Sequence, residues 1–511
     1  MRARGRFIAG IVLAAAAFAT PAHAAQTQES VFMDDNLLLF RGDDVADATL
    51  RELKQLGVDR LRVSVPWVLF APDASARKRG DYETSAFDHH DHLLRVADKL
   101  GIKVLFNITS GAPLYKPSPA QFARFVETLG ARYDGRHSDE NQGKSSLPRV
   151  EAWSIWNEPN TGAHLQPQWE RAKTTRTWVP VAARIYRNLA RAAIGALQKT
   201  GHGGDLILLG ETAPLGLNDY GRTRSIRPGR FLKALLCLDA RTLRALRGRA
   251  ASQLGCSDYR RHGALAVTGY AHHPYSITSA PDVGDPNPND IRLADAARLG
   301  TLLDAAAALH RIPAGLPYWW TEYGWQTNPP DPIRGVSFAD QARWIAQAEQ
   351  MTRADPRAVA LTQFLLRDDV PRDEPGATLE RRWGTYQTGL EDAAGNAKPA
   401  YDAYRLPLVA TPNGASITLW GLVRPTDGQG SVQVQFAPNG SDAYQPVGGP
   451  VAVDRASRAF TVDVTPERSG SYRFAWTGPQ PPAPPRSSLF SPPQAPPAPV
   501  FTSLVVPVTV G

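Results

Sequence analysis

Two short segments hold the residues best suited to chemistry. Trp156-Asn157-Glu158-Pro159 closes one apolar run, and Thr321-Glu322-Tyr323-Gly324-Trp325 closes another. Either glutamate alone has an alternative reading as a helix cap or a loop ion pair. Two of them at corresponding strand ends favour a reactive pair. Carboxyl groups flanking one sugar ring can break a glycosidic bond: one protonates the leaving oxygen while the other meets the anomeric carbon. A separation of roughly 5–5.5 Å gives a covalent intermediate and retention of configuration. The two groups must hold different protonation states at one pH, so their surroundings must differ.

Such a pair needs elements that bring distant residues together. From about residue 36 to 405, short β-branched runs alternate with amphipathic stretches, the pattern of a parallel sheet with helical crossovers. Candidate strands fall at 36–40, 60–65, 103–107, 150–156, 206–210, 266–271, 318–321 and 359–364. Helical stretches lie between them, at 49–56, 88–100, 119–133, 182–197, 293–309 and 338–351, the first two stopping at Gly57 and Gly101. The strands are apolar almost throughout, as expected where both faces are covered. Eight such repeats predict an α/β chain with a TIM (β/α)8 barrel, catalytic residues at the C-terminal strand ends, and strands four and seven facing each other across the mouth.

Near Pro407 the texture changes. Segments 431–436 and 460–464 alternate strictly, 417–420 and 472–476 behave similarly, and turn residues separate them. Residues 410–511 therefore read as a C-terminal antiparallel β-sandwich, immunoglobulin- or fibronectin-like, following a catalytic domain at 25–406. Residues 479–499 carry ten prolines and read as an extended insertion. Residues 501–510 are again strand-like and are expected to pair as the last strand.

At their strand positions, the WNEP and TEYGW segments are similar to those of the clan A glycoside hydrolases, the retaining barrels that include families 5 and 39. The resemblance spans roughly residues 35 to 405. It implies that Glu158 is the general acid/base and Glu322 the nucleophile. It implies that Asn157 bonds the sugar 2-hydroxyl, and that Arg62 on the second strand keeps Glu322 ionised. At the sixth-strand exit, His272-His273-Pro274-Tyr275 resembles the clan's histidine-then-tyrosine, which points to His273 and Tyr275. Trp156 and Trp325, with Trp67, Tyr115 and Trp320, fall near strand ends, where an aromatic face suits a pyranose and a core position suits it equally.

Two features depart from the clan. Strand eight ends in Phe364-Leu365-Leu366-Arg367, where many members have a tryptophan, so the sugar platform is expected from Phe364 or Trp383. Asn107 stands near a position that is histidine in several members. The implied chemistry needs no cofactor or metal, and His89-His90-Asp91-His92 reads as a solvated helix start. A catalytically silent carbohydrate-binding or adhesion protein, or a transglycosylase, would keep the same barrel.

Composition sets the outer limits. Of 511 residues, 42% are hydrophobic and 21% charged, enough for a large core and incompatible with global disorder. Arg2, Arg4 and Arg6 precede an apolar run ending near Ala19, followed by Ala22-His23-Ala24. This reads as a secretory signal over residues 1–24 and implies a secreted or cell-surface protein without stable membrane insertion. Removing the three arginines lowers the net charge of +8 to about +5. No dense basic run with interleaved aromatics suggests nucleic acid, so the expected partner is an oligo- or polysaccharide. The two cysteines, Cys237 and Cys256, are expected to pair in an exported protein and to restrain the Arg-rich excursion between them.

Overall fold

Eight parallel strands close into a barrel in chain order: β1 (Glu29–Met33), β2 (Arg60–Pro66), β3 (Lys103–Thr109), β4 (Ala152–Ile155), β5 (Leu206–Thr212), β6 (Gly269–His272), β7 (Tyr318–Tyr323) and β8 (Ala358–Phe364), which pairs back on β1. The computed structural model describes residues 28–510 except 81, 144, 174, 427–429 and 482–494. The expected signal segment and most of the proline-rich insertion lie outside the described residues.

Strand interiors are apolar because both faces are covered. One set of side chains (Val31, Leu105, Ala152, Leu208, Ala271, Trp319 and Ala360) forms its own cluster, drawn from seven of the strands, and fills the barrel interior. The alternate residues pack outward against the helices. The helices obey local rules. Ser118 caps Pro119–Arg132 with Pro119 in the first turn, and Ser337 caps Phe338–Ala354 by accepting from the Asp340 N–H at 3.0 Å. Gly101, at φ 64°, ends Asp88–Leu100 in a left-handed cap. In that helix His89 and His92 pair with Asp43 and Asp47 on the neighbouring helix.

The first strand corrects the sequence reading. Residues 36–40 are not β1; Asp35–Leu39 is a short helix, and the strand is the preceding Glu29–Met33. Short apolar runs do not separate strand from helix by periodicity. Asp34 decides the matter locally, because its carboxylate accepts from the Leu37 N–H at 3.0 Å and so caps the helix. The same carboxylate accepts from the Leu366 and Arg367 N–H groups at 3.0 and 3.2 Å, tying the exit of β1 to that of β8.

The C-terminal region forms two antiparallel sheets. One contains β9 (Leu408–Asn413), β10 (Ser416–Leu422) and β12 (Ala459–Val464); the other is built on β11 (Ser431–Pro438) and β13 (Gly470–Thr477). The tail closes the second sheet as two short strands, β14 (Val500–Thr502) and β15 (Val506–Val508), both on β13. A separate core, including Leu419, Val434, Phe460 and Phe474, lies between the sheets.

This region docks near the N-terminal ends of β1 and β2, away from the barrel mouth. Buried Arg424 reaches Ser30, the Tyr404 carbonyl (2.8 Å) and Glu349 (2.8 Å), while Arg458 pairs with Asp59 at 2.7 Å. Arg353 and Arg424 hold the buried Glu349 carboxyl down to about 2 despite burial, which pushes the other way. Gly57 permits the close approach: its φ is 83°, and a Cβ there would lie 2.4 Å from the Arg424 carbonyl oxygen.

Cys237 and Cys256 form a disulfide across 19 positions. Arg187, buried on the helix Val181–Lys199, donates to the Leu235 and Gly255 carbonyls at 2.9 and 3.1 Å and pins both ends of the excursion. Replacing both cysteines with serine is expected to cost about 2–4 kcal/mol. Hydrogen exchange should rise between residues 238 and 255 while the barrel strands stay protected. Uniform loosening of the barrel would show that the staple does more than restrain the excursion.

Candidate active site

The C-terminal strand ends converge on one pocket. Glu158 follows β4, and Glu322 lies near the end of β7. One carboxylate oxygen from each, with one nitrogen of His273, lie within 4.8 Å of one another. Facing oxygens this close are compatible with the roughly 5–5.5 Å carboxyl separation of a nucleophile and acid/base pair.

The turn bearing Glu158 is strained. Trp156 and Glu158 take φ values of 70° and 39°, a conformation costing about 1–3 kcal/mol for each non-glycine residue. Backbone bonds hold it: the Trp156 N–H donates to the Ile108 carbonyl at 2.7 Å, and the Glu158 N–H to the Glu211 carbonyl at 2.8 Å. Asn107, fully buried on β3, donates to Ser154 Oγ at 2.8 Å and to the Trp156 carbonyl. It shapes this turn and does not line the pocket.

Arg62 on β2 is buried beneath the pair. Its guanidinium donates to Glu322 Oε1 at 3.0 Å, Asn157 Oδ1 at 2.9 Å and Glu211 Oε2 at 3.0 Å. Asn157 therefore presents its amide nitrogen, which lies 3.4 Å from His164 Nε2, toward the pocket side. The Tyr275 hydroxyl donates to the other Glu322 oxygen at 3.1 Å. Burial and the Glu322 charge push the Tyr275 phenol well above its usual value, so it remains a donor.

Glu211 is the residue the sequence reading missed. It sits inside the barrel at the end of β5, fully buried, with φ 49°. Its carboxylate accepts from Arg62, His273 Nε2 (2.7 Å), Thr321 Oγ1 (2.8 Å) and Ser154 Oγ. Burial opposes its charge, but Arg62 and His273 hold it down to about 2. The signal was Gly210 immediately before it. At φ 115°, a Cβ on Gly210 would lie 2.5 Å from the Ala271 carbonyl oxygen, and a register shift follows where β5 meets β6. The resulting bulge turns Glu211 inward.

His273 connects all three carboxylates. Its Nδ1 lies 3.0 Å from Glu158 Oε1 and 3.4 Å from Glu322 Oε2, and its Nε2 contacts Glu211. Burial disfavours its charge, but Glu322, Glu158 and Glu211 together push it up to about 10, so it is an imidazolium at neutral pH. This bears on Glu158. Burial raises that carboxyl, but the hydrogen bond and charge of His273 outweigh it and hold it below the usual carboxylate value in the unliganded protein. Glu158, His273 and Glu322 are close enough to surround a cation. However, both His273 nitrogens are already committed to carboxylates, and Arg62 occupies Glu322.

The pocket has a volume of about 420 Å³, within the roughly 300–1,000 Å³ of small-molecule sites. Glu158, Glu322, Asn157, His164 and Tyr275 line it, with Met33, Leu215, Ile277, Phe364 and Tyr386 as its apolar wall. Phe364 and Tyr386 meet edge to face at 5.2 Å and both line the pocket, whereas Trp383 does not. Trp156 and Trp325 are fully buried and do not reach the pocket; their contribution is support, as in the Trp325 packing against Tyr323 and Trp344. Trp67 and Trp320 are likewise core, while Tyr115 is exposed on the rim.

No family model and no curated protein matches this sequence. Among solved structures, the chain is similar to the glucosidase from Croceicoccus marinus, at 14% identity over 96% of this chain and 94% of that one, with a TM-score of 0.49. It is also similar to GH5_18 from Streptomyces cattleya in complex with GlcNAc, at 16% identity over 75% and 79% of the two chains, TM-score 0.46. A third is the family 1 β-glucosidase from Thermotoga maritima, at 13% identity over 70% and 84%, TM-score 0.40. These neighbours are glycoside hydrolases.

Proposed function

We propose that this chain is a secreted retaining glycoside hydrolase that cleaves O-glycosidic bonds in an oligo- or polysaccharide. The observation that carries this reading is the Glu158–Glu322 pair, with oxygens within 4.8 Å, at the mouth of a closed barrel. Secretion rests on the sequence of residues 1–24 alone.

In the first step a Glu322 oxygen attacks the anomeric carbon. The bond to the leaving oxygen breaks as Glu158 gives that oxygen a proton. In the second step Glu158, now a carboxylate, takes a proton from water; the water oxygen attacks the anomeric carbon, and Glu322 leaves. Arg62 and Tyr275 hold one oxygen each of Glu322 and fix its aim. The Asn157 amide nitrogen is oriented to meet a sugar hydroxyl.

The proton for the first step is shared between His273 and Glu158. Moving it from Nδ1 to Oε1 along their 3.0 Å bond makes Glu158 a neutral acid, and His273 keeps its Nε2–H on Glu211. The two groups then titrate as a unit. The test is a screen of aryl glycosides with the purified protein, following the first product by NMR. The expected result is turnover of at least one glycoside with retained anomeric configuration. An inverted first product would end the double-displacement reading, and binding without turnover of any glycoside would favour a silent sugar-binding barrel.

A further inference from the structure

The loops after β3, β4 and β5 carry a feature that the mechanism leaves unused. Tyr115, from the β3 loop, is 51% exposed, and Tyr220, from the β5 loop, is 42% exposed. Arginines sit over these and neighbouring rings. Arg222 sits 4.4 Å from the centre of Tyr115, Arg171 4.8 Å from Trp178, and Arg230 4.6 Å from Trp169 and 5.3 Å from Tyr220. The Tyr220 ring stacks on Trp178 at 6.1 Å and 12° and meets Trp169 at 4.9 Å, while the Arg222 carbonyl accepts from the Gln168 N–H at 2.8 Å beside Trp169, so the groups are neighbours along one stripe.

All three arginines are exposed, and none forms an ion pair among the described residues. The nearby carboxylates are already matched, Glu170 by Lys116 at 2.6 Å and Asp219 by Arg224 at 3.0 Å. Arg222 uses Nε on Gln166 (3.0 Å), and Arg230 makes a long bond to the Tyr220 hydroxyl (3.4 Å). An exposed guanidinium held over a ring without an ion pair offers its planar donor fork to a carboxylate or sulfate.

The stripe adjoins the pocket. His164 and Leu215 line the pocket. Two residues further along the same loops come Gln166, which bonds Arg222 and whose strand pairs with Tyr115, and Leu217, which leads to Tyr220. This is the side of Glu158, which protonates the leaving oxygen, so a chain lying here would be the leaving portion of the substrate. Arg334 adds a further guanidinium on the pocket wall.

We propose that the Arg171–Arg222–Arg230 stripe is the binding track of an anionic glycan, a polysaccharide bearing carboxylate or sulfate groups, that feeds the Glu158–Glu322 pocket. The proposal rests on reading that pocket as a glycosidase site. The test compares the full chain with the variant Arg171→Gln, Arg222→Gln, Arg230→Gln. Binding to polygalacturonate, dextran sulfate and neutral dextran is measured by affinity electrophoresis at low salt. Exposed charge pairs are each worth a few-fold, so the triple variant should lose about tenfold in affinity for the preferred polyanion. The arginine-to-lysine counterpart should recover only part of it, because an ammonium keeps the charge without the planar fork. The polygalacturonate and dextran sulfate arms separate carboxylate from sulfate recognition. Equal binding to neutral dextran, no binding to either polyanion, an unaltered triple variant, or equally tight binding of a single-stranded oligonucleotide would overturn the proposal. Binding is read without turnover, and both variants should keep wild-type kcat/KM on a small neutral aryl glycoside. Failure of the glycosidase reading would therefore appear in the aryl-glycoside assay alone.

Discussion

Glu322→Gly is expected to lower kcat on every substrate by about 10⁴-fold or more, because no covalent intermediate can form without its carboxylate. Glu158→Ala should cost about 10²–10⁴-fold, most on substrates with poor leaving groups, since a good leaving group needs little protonation. Azide separates the two roles. In the Glu158 variant the glycosyl-enzyme still forms, and azide entering the space of the lost carboxyl yields a glycosyl azide of retained configuration. In the Glu322 variant azide attacks the sugar directly and yields the opposite anomer. NMR of the azide products reads both outcomes. The same anomer from both variants would refute the division of roles, and near-normal activity in both would place the site elsewhere. The geometry behind this expectation is asymmetric: Glu322 is held by Arg62 and Tyr275, whereas Glu158 faces the proton on His273.

Glu211→Gln should be the most damaging change outside the pocket wall. It keeps the shape of the side chain but leaves Arg62 and His273 buried with one anionic partner fewer. Breaking a buried charge pair in this way costs about 3–5 kcal/mol. The pH dependence is distinctive. Glu211 is depressed to about 2 in the folded protein, so its contribution is present above the ordinary carboxylate value near 4.5 and lost as pH falls toward 2. His273 is raised to about 10, so its contribution is complete below its ordinary value of 6.5 and lost as pH rises through 10. The variant should lose much of the acid-side dependence of melting temperature. It should also move the alkaline loss to lower pH, together with the alkaline limb of kcat/KM. Melting curves between pH 3 and 10 and a pH–rate profile on an aryl glycoside measure these effects. An unchanged alkaline limb would show that His273 does not share its proton with Glu158.

Several elements were readable without coordinates because they depend on local rules. The helices Asp88–Leu100 and Pro119–Arg132 carry their own caps and periodicity, and the strictly alternating 431–436 and 460–464 segments lie within β11 and β12. The stretch at 36–40 is ambiguous in sequence because three consecutive leucines satisfy either a buried strand or a short helix, and only the Asp34 cap and the pairing of Glu29–Met33 with β8 separate them. Trp156 and Trp325 show the same limit at the level of side chains: a tryptophan near a strand end looks alike in sequence whether it faces a cleft or the core, and here both face the core.

By itself the sequence determined the alternation of strand and helix, the change to an antiparallel region near Pro407, and two glutamates at the ends of the fourth and seventh strands. Those follow from side-chain periodicity and from residue types that local packing does not require. Only the tertiary structure decided how the charges share the site. Glu211 enters through a backbone bulge at Gly210. His273 takes its charge from three carboxylates, one just after β4 and the others on β5 and β7. Glu158 is consequently held low in the unliganded protein, where burial alone would have raised it. Protonation in a buried cluster is set by the sum of distances to groups far apart in the chain, and no local pattern of residues encodes that sum.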